Sequence, residues 1–418
     1  MKYKAHFLIL LFIAGFWTEL AAYPVDGYLL TGIRRLARLQ LVLSGEIQDK
    51  PLPKGAQKSI DDIELHLLGP RGDSLRELPT PDPELQKKLN ALFPNLSESY
   101  SITLLDISPN KPVRYAARKE TRGFQPGSVG KLTIVAGLFC ELENLYPDSF
   151  ELRRDLLKKK FVKAGPWCIT NEHTVPFYDP ETKKFFKRVV QPQDVFSLYE
   201  WVDHMLSVSS NAAASIVWRE VMLMRYYGEE YPELTEEEAV AFFKNTPKPQ
   251  LTEIAMSVVN DPLRELGITE EEWKLGSLFT SEGKKMVPGT GGSSASPAGL
   301  MKYLIAMERG QIVDPASSLE IKRLMYMTAT RIRYAASPAL AEAAVYFKSG
   351  SLYKCRPEEG YTCKKYAGNV ENYMNSVAIV EQPDSTVYMV ALMSNVLRKN
   401  SNIDHNGLAS QIDRLVRK

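Results

Sequence analysis

A chain of 418 residues, 44% hydrophobic and 24% charged, is long enough for two or three domains and a large core, with no collagen-like or low-complexity bias. Fifty-two basic residues against 50 acidic ones leave a net charge of +2, which excludes the electrostatic footprint of a nucleic-acid partner. Clusters such as Lys158-Lys159-Lys160 then read as solvated helix faces.

The first 22 residues carry a basic start at Lys2 and Lys4, an apolar run from Ala5 to Trp17 broken only by His6, and the small pair Ala21-Ala22. This is the order of a secretory signal peptide (1–22), and the run is too short for a comfortable membrane span. Leu20 stands where a cleavage site favours a small residue, which leaves an uncleaved anchor open. The expectation is export to a periplasmic or extracellular location, with no stable membrane span.

Residues 23–98 read as a separate N-terminal extension. Ile33, Leu36, Leu39 and Leu41 mark a helix that also carries Arg34, Arg35 and Arg38, and 60–68 is a short apolar-polar segment. Leu78-Pro79-Thr80-Pro81-Asp82-Pro83 is a linker by its proline content. No chemistry is visible here, so packing or spacing is its expected role.

From residue 99 the pattern changes. Residues 101–107 (S-I-T-L-L-D-I) predict a strand, Ser108-Pro109-Asn110-Lys111 a turn, and 113–118 the hairpin partner. Val129, Leu132, Val135, Leu138, Phe139 and Leu142 recur at helical spacing and predict a buried helix from near Ser128. Further helices are predicted over 148–163, 194–206, 212–227, 235–244 (capped by Thr235), 262–274 and 298–308. An irregular aromatic excursion spans 175–190, and 289–296 (G-T-G-G-S-S-A-S) is a flexible loop. The period becomes two over 345–352, 375–380 and 387–393, before a closing helix over 402–417. Two strands, a long helical block, three strands and a helix imply an α+β fold. One antiparallel five-strand sheet with flanking helices is built from both ends of 99–418, and an all-α lobe (about 132–330) is inserted between.

Export makes disulfides permissible. Cys355 and Cys363 flank the turn-rich stretch 356–362, which a bridge would close; this is the expected pair, with Cys140–Cys168 as the other. The chain has no C-x-x-C, no H-E-x-x-H and five scattered histidines, so no metal site is implied.

Ser-x-x-Lys occurs at Ser108, Ser128, Ser281 and Ser351. Ser108 lies in a turn, Ser281 in a Gly/Lys-rich loop, and Ser351 in a strand, where residues three apart face opposite sides. At Ser128 a helix start puts Lys131 on the same face and leaves backbone N–H groups free. That suits a serine nucleophile with a lysine base and a backbone oxyanion site, against the plain reading of a helix cap. Ser209-Ser210-Asn211 lies at the junction of two helical patterns. There a hydroxyl can relay a proton and an amide can bind a carbonyl, or Ser210 or Asn211 can simply cap a helix. Lys348-Ser349-Gly350 interrupts an apolar strand with a glycine, a mark of close approach, and its ammonium and hydroxyl suit a carboxylate. The competing reading is a lysine on the wet face of an edge strand.

The ordered set S-x-x-K, S-x-N, K-S-G resembles the active-site-serine penicillin-recognising enzymes, and its layout is similar to class A serine β-lactamases. The matching stretches are Phe124-x-Pro126-x-Ser128-x-x-Lys131, Met205 to Ala214 and Phe347-Lys348-Ser349-Gly350, over about Ser99 to Lys418. Tyr178-Asp179-Pro180-Glu181-Thr182 resembles the tyrosine-bearing loop that rims that family's site. Two departures stand out. Ser210 replaces an acidic residue that supports the loop. No R-x-E-L-N-like loop exists to supply the glutamate that activates the deacylating water; Glu282 is the nearest positional candidate.

The resemblance implies a serine hydrolase that opens β-lactam-type amides through an acyl-enzyme. The alternatives are a D-alanyl peptide carboxypeptidase or transpeptidase with slow deacylation, and a non-catalytic binder of cell-wall fragments. It implies Ser128 as nucleophile, Lys131 as base and Ser209 as proton relay. Asn211, Lys348, Ser349, Gly350, Ser351 and Tyr178 would bind substrate, with the N–H groups of Ser128 and Ser351 as the oxyanion hole. The partner is a small-molecule β-lactam or D-alanyl peptide, without metal or organic cofactor.

Overall fold

A computed structural model describes residues 23–418 except Asn110 and Ala329. The export signal read over 1–22 lies outside the described residues. Strands β1 (Ser101–Asp106) and β2 (Arg114–Arg118) open the sheet, and β3 (Ala344–Lys354), β4 (Glu371–Glu381) and β5 (Val387–Asn395) complete it. Its order is β2-β1-β5-β4-β3, antiparallel throughout. The helices that position the site are α1 (Arg34–Leu43), α2 (Pro83–Asn90), α3 (Lys131–Leu145), α4 (Leu198–Leu206), α5 (Asn211–Tyr227), α6 (Lys248–Glu265), α7 (Pro297–Glu308) and α8 (Asn402–Arg417).

Period-two patterning sends alternate residues of β5 into two different cores. Tyr388, Val390 and Leu392 meet Leu408, Ile412 and Val416 of α8 and Leu85 and Leu89 of α2. Met389, Ala391 and Met393 belong to the larger core with Leu132, Leu138, Leu300 and Tyr303 of α3 and α7. The sheet therefore has a helical layer on each face. Each fully buried leucine or isoleucine contributes about 1.5–3 kcal/mol to holding these layers together. Leu132, Ile134, Val135, Ala136, Leu138 and Phe139 are all fully buried, so α3 is enclosed on every side.

The structure corrects the sequence reading at four places. The inserted lobe is mainly helical but not all-α: Thr174–Tyr178 pairs with Phe185–Val189, and Phe161–Lys163 with Val195–Ser197. The 175–190 excursion is therefore a regular hairpin, masked in sequence by Pro176 inside one strand. The acidic helix expected over 262–274 instead runs from Lys248 to Glu265, with Pro249 in its first turn and Pro262 in its last. The extension 23–98 is not separate. Tyr23, Ile33 and Leu36 are fully buried, and within the proline-rich stretch Asp82 caps α2 by accepting from the Leu85 N–H at 2.7 Å. Cys355 and Cys363 form a disulfide, while Cys140 and Cys168 are free thiols. Among the described residues no helix is long and apolar enough to cross a membrane.

Candidate active site

Gly127 takes a left-handed turn (φ 54°), the chain makes one 3-10 turn over Gly127–Gly130, and α3 opens at Lys131. The α-helix thus begins three residues later than the pattern predicts. In a 3-10 turn residues i and i+3 eclipse, so Ser128 and Lys131 still share one side. Strand β3 presses against this turn: a methyl group on Gly350 would lie 2.0 Å from the Pro126 carbonyl oxygen and 2.8 Å from the Val129 nitrogen. Asn375, the register partner of Gly350 on β4, donates to the Gln125 and Pro126 carbonyls at 2.9 and 3.0 Å. The glycine makes the approach possible and the asparagine fastens it.

Between α4 and α5, Ser209 adopts φ 60°, and Ser210 caps α5 by accepting from the Ala213 N–H. Ser210 is therefore structural, and its neighbours face the cleft. The Lys131 Nζ, fully buried, donates to the Ser209 carbonyl at 2.5 Å and to Asn211 Oδ1 at 2.8 Å, and lies 3.5 Å from Ser209 Oγ. Lys348, equally buried, donates to Ser209 Oγ at 2.8 Å and to the Ser349 carbonyl at 3.1 Å. Burial, then the charge of Lys348, holds the Lys131 amine well below the ordinary lysine range. Burial, then the Arg333 guanidinium, brings Lys348 down to about 7. Ser128, Ser209, Asn211, Ser349, Gly350 and Ser351 all line one cleft of about 450 Å³.

Residues 251–416 match the model of the family described as "Beta-lactamase enzyme family". Comparison with curated proteins finds no match. Among solved structures, the TLA-3 extended-spectrum β-lactamase aligns at 15% identity over 80% of this chain and 99% of its own, with a TM-score of 0.51. A class A β-lactamase from Bacteroides cellulosilyticus aligns at 15% identity over 81% and 97%, TM-score 0.50. A β-lactamase from Chitinophaga pinensis does so at 15% over 79% and 97%, TM-score 0.50. The chain has the class A β-lactamase fold. The three motifs that resemble those of the β-lactamase and penicillin-binding group of serine hydrolases meet at one cleft.

On this β-lactamase fold two of the expected residues fall elsewhere. Tyr178 does not line the cleft: it ends a strand of the lobe hairpin and is buried with 4% exposure. Glu172 and His173, just before that hairpin, stand on the cleft wall instead. Glu282 sits in the short helix Ser281–Met286, bonded to Lys285 at 2.5 Å; its neighbour Lys284, not Glu282, reaches the cleft. The group facing Lys131 from that loop is Phe279, whose ring centroid lies 5.0 Å from Nζ.

Sequence reasoning missed four further groups. Glu172 is the one carboxylate among the described lining residues. The His173 Nδ1 is buried without a hydrogen-bond partner, and burial plus the charges of Lys131, Lys348 and Lys365 brings the ring down to about 3. Arg333, in a left-handed conformation (φ 51°), donates to the Gly350 carbonyl at 2.7 Å and Ser351 Oγ at 3.0 Å. Asn375 carried a usable signal: an amide in an otherwise apolar strand needs a partner. For the other three the sequence offers no spacing to read.

Proposed function

We propose that this chain is an active-site serine acyltransferase of the β-lactam-recognising type, with Ser128 as nucleophile. The observation that carries this reading is the placement of Lys131, buried one turn from Ser128 with its amine held between the Ser209 carbonyl and Asn211 Oδ1. A neutral amine has two hydrogens, and Lys131 has two short acceptors in the Ser209 carbonyl and Asn211 Oδ1. Its lone pair is then left for the Ser128 hydroxyl proton one turn away. As the Ser128 Oγ–carbonyl bond forms, that proton passes to Lys131, and the oxyanion is met by the Ser128 and Ser351 N–H groups. The C–N bond then breaks, and the leaving nitrogen takes the Ser209 hydroxyl proton, which Lys348 or Lys131 replaces. Lys348 and Ser349 suit the substrate carboxylate, and Asn211 its side-chain amide.

The second half of the cycle differs from a fast hydrolase. The acyl ester needs a base holding water beside it, and the site presents Phe279 where the loop meets Lys131. This favours a penicillin-binding enzyme with a long-lived adduct, acting on β-lactams or D-alanyl peptides. The resemblance and the signal read over 1–22 support an exported protein.

Intact-mass spectrometry after mixing with benzylpenicillin tests the reading. The expected result is a stoichiometric adduct that persists in the wild type and is lost in Ser128→Ala. Rapid turnover without accumulation would restore the hydrolase reading. Absence of any adduct or turnover would leave a non-catalytic binder.

A further inference from the structure

The cleft does not end at the reacting groups. Five successive β3 residues, Ser349 to Tyr353, line it, a span of about 13 Å at the rise of an extended strand. Side chains alternate along a strand, so Ser349, Ser351 and Tyr353 share a face, and the carboxylate-binding end is continuous with a tyrosine at the other. Leu352 and Tyr353 are 37% and 41% exposed, large apolar groups left open where the sheet could have ended in polar ones.

The far wall comes from the connection between β3 and β4, which the Cys355–Cys363 disulfide closes into a flap. The flap is fastened at its base: Arg356 N–H donates to Asn369 Oδ1 at 2.9 Å, and Asn369 Nδ2 returns a bond to the Arg356 carbonyl at 3.0 Å. The Arg398 N–H also donates to the Gly368 carbonyl at 2.8 Å. Its last residues turn back over the cleft, with Tyr366 in a left-handed conformation (φ 60°). The Tyr366 ring meets Tyr353 edge-to-face at 5.9 Å, and Arg333 and Lys365 each stand 5.3 Å from its centroid. Cations on Tyr366 fix that ring, and the exposed surface of Tyr353 remains for a ligand.

We propose that the disulfide-closed flap is part of the substrate site. With Tyr353 it forms a subsite past Ser351 that takes a planar aromatic group on the acyl portion of the substrate. An aromatic group there finds a ring edge and apolar contact, while Lys365 at the rim favours electron-rich or anionic groups. This inference rests on the acyl-transfer reading of Ser128.

The test compares acylation rate constants for benzylpenicillin, which carries a phenylacetyl group, and 6-aminopenicillanic acid, which carries none on the same reacting ring. Wild type should prefer the aromatic probe, and Tyr353→Ala should cut the ratio of the two rate constants by up to about tenfold, the range of one aromatic contact. Tyr353→Phe should restore the ratio, and Cys355→Ser/Cys363→Ser should lower it by freeing the flap. An unchanged ratio in Tyr353→Ala, or equal losses on both probes, overturns the subsite. Should neither probe modify the wild type, the acyl-transfer reading fails. Calorimetry with N-phenylacetyl-D-alanine against N-acetyl-D-alanine then decides the subsite, which falls if wild type shows no preference that Tyr353→Ala removes.

Discussion

The ring of Phe279 stands 5.0 Å from the amine of Lys131. A phenyl face attracts a cation but offers no acceptor to orient water, so on the proposed mechanism this contact predicts a long-lived acyl ester on Ser128. Phe279→Glu is expected to shorten the benzylpenicillin adduct's lifetime by on the order of 100-fold or more, the usual yield of a positioned base. Adduct decay followed by mass spectrometry measures it. Glu282→Gln should leave the decay where it was, because that carboxylate is engaged with Lys285 outside the cleft. An unaltered lifetime in Phe279→Glu would place the hydrolytic water elsewhere.

The proposed role of Lys348 as carboxylate partner predicts a pH dependence for substrate binding. Its amine is brought down to about 7 by burial and Arg333, from about 10.4 in an unfolded chain. Below 7 it is charged, and carboxylate affinity should be at its highest. As pH rises through 7 the free site loses its proton, and affinity should fall toward tenfold per unit until the liganded value is reached. A methyl-ester probe should show no such fall. The sign for stability is opposite: between about 7 and 10.4 the unfolded chain binds the extra proton, so Lys348's contribution to stability rises with pH across that window. Affinity measured for both probes from pH 6 to 9 decides it, and parallel curves would remove Lys348 from the carboxylate site.

Gly350→Ala tests the close approach. The added methyl would lie 2.0 Å from a carbonyl oxygen that Asn375 already holds, so the turn carrying Ser128 must shift. Overpacking of this kind costs about 1–3 kcal/mol in stability. The loss in acylation should be larger than the loss in melting temperature suggests, because the displaced group is the proposed nucleophile. Near-normal acylation in the variant would mean that the turn is free to move.

The legible part of this chain was local and periodic. The five strands, α3 and α8 announce themselves by their apolar spacing, and Ser128, Ser209 and Lys348 by short motifs in the right surroundings. Tyr178 misled because a turn-like Tyr-Asp-Pro looks the same whether it rims a cleft or ends a hairpin. Phe279 and His173 could not be read, since each meets Lys131 from a distant part of the chain, and Arg333 meets Gly350 and Ser351 across an irregular connection with no spacing to mark it. Arg34 and Arg35 were noticed, but nothing in a helix face says which buried carboxylate it will meet.

That meeting supplies the last prediction. Arg35 holds Asp203 through two bonds of 2.5 and 2.6 Å, with both side chains buried, and Arg34 grips Glu200 one turn earlier on α4. Helix α4 runs directly into the Ser209 turn, where the Ser207 N–H bonds the Asp203 carbonyl and the Ser210 N–H the His204 carbonyl. Removing one member of a buried pair strands the other, a cost of about 3–5 kcal/mol, whereas replacing both with apolar groups of similar volume is often close to neutral. Arg35→Met should therefore lower stability by that amount, and Arg35→Met/Asp203→Leu should recover most of it. Denaturant unfolding of the wild type, the two single variants and the double variant measures the coupling. A single variant within about 1 kcal/mol of wild type, the value of an exposed pair, would make the extension a passenger on the catalytic fold. A large coupling makes residues 23–98 part of the frame that holds Ser209 in place.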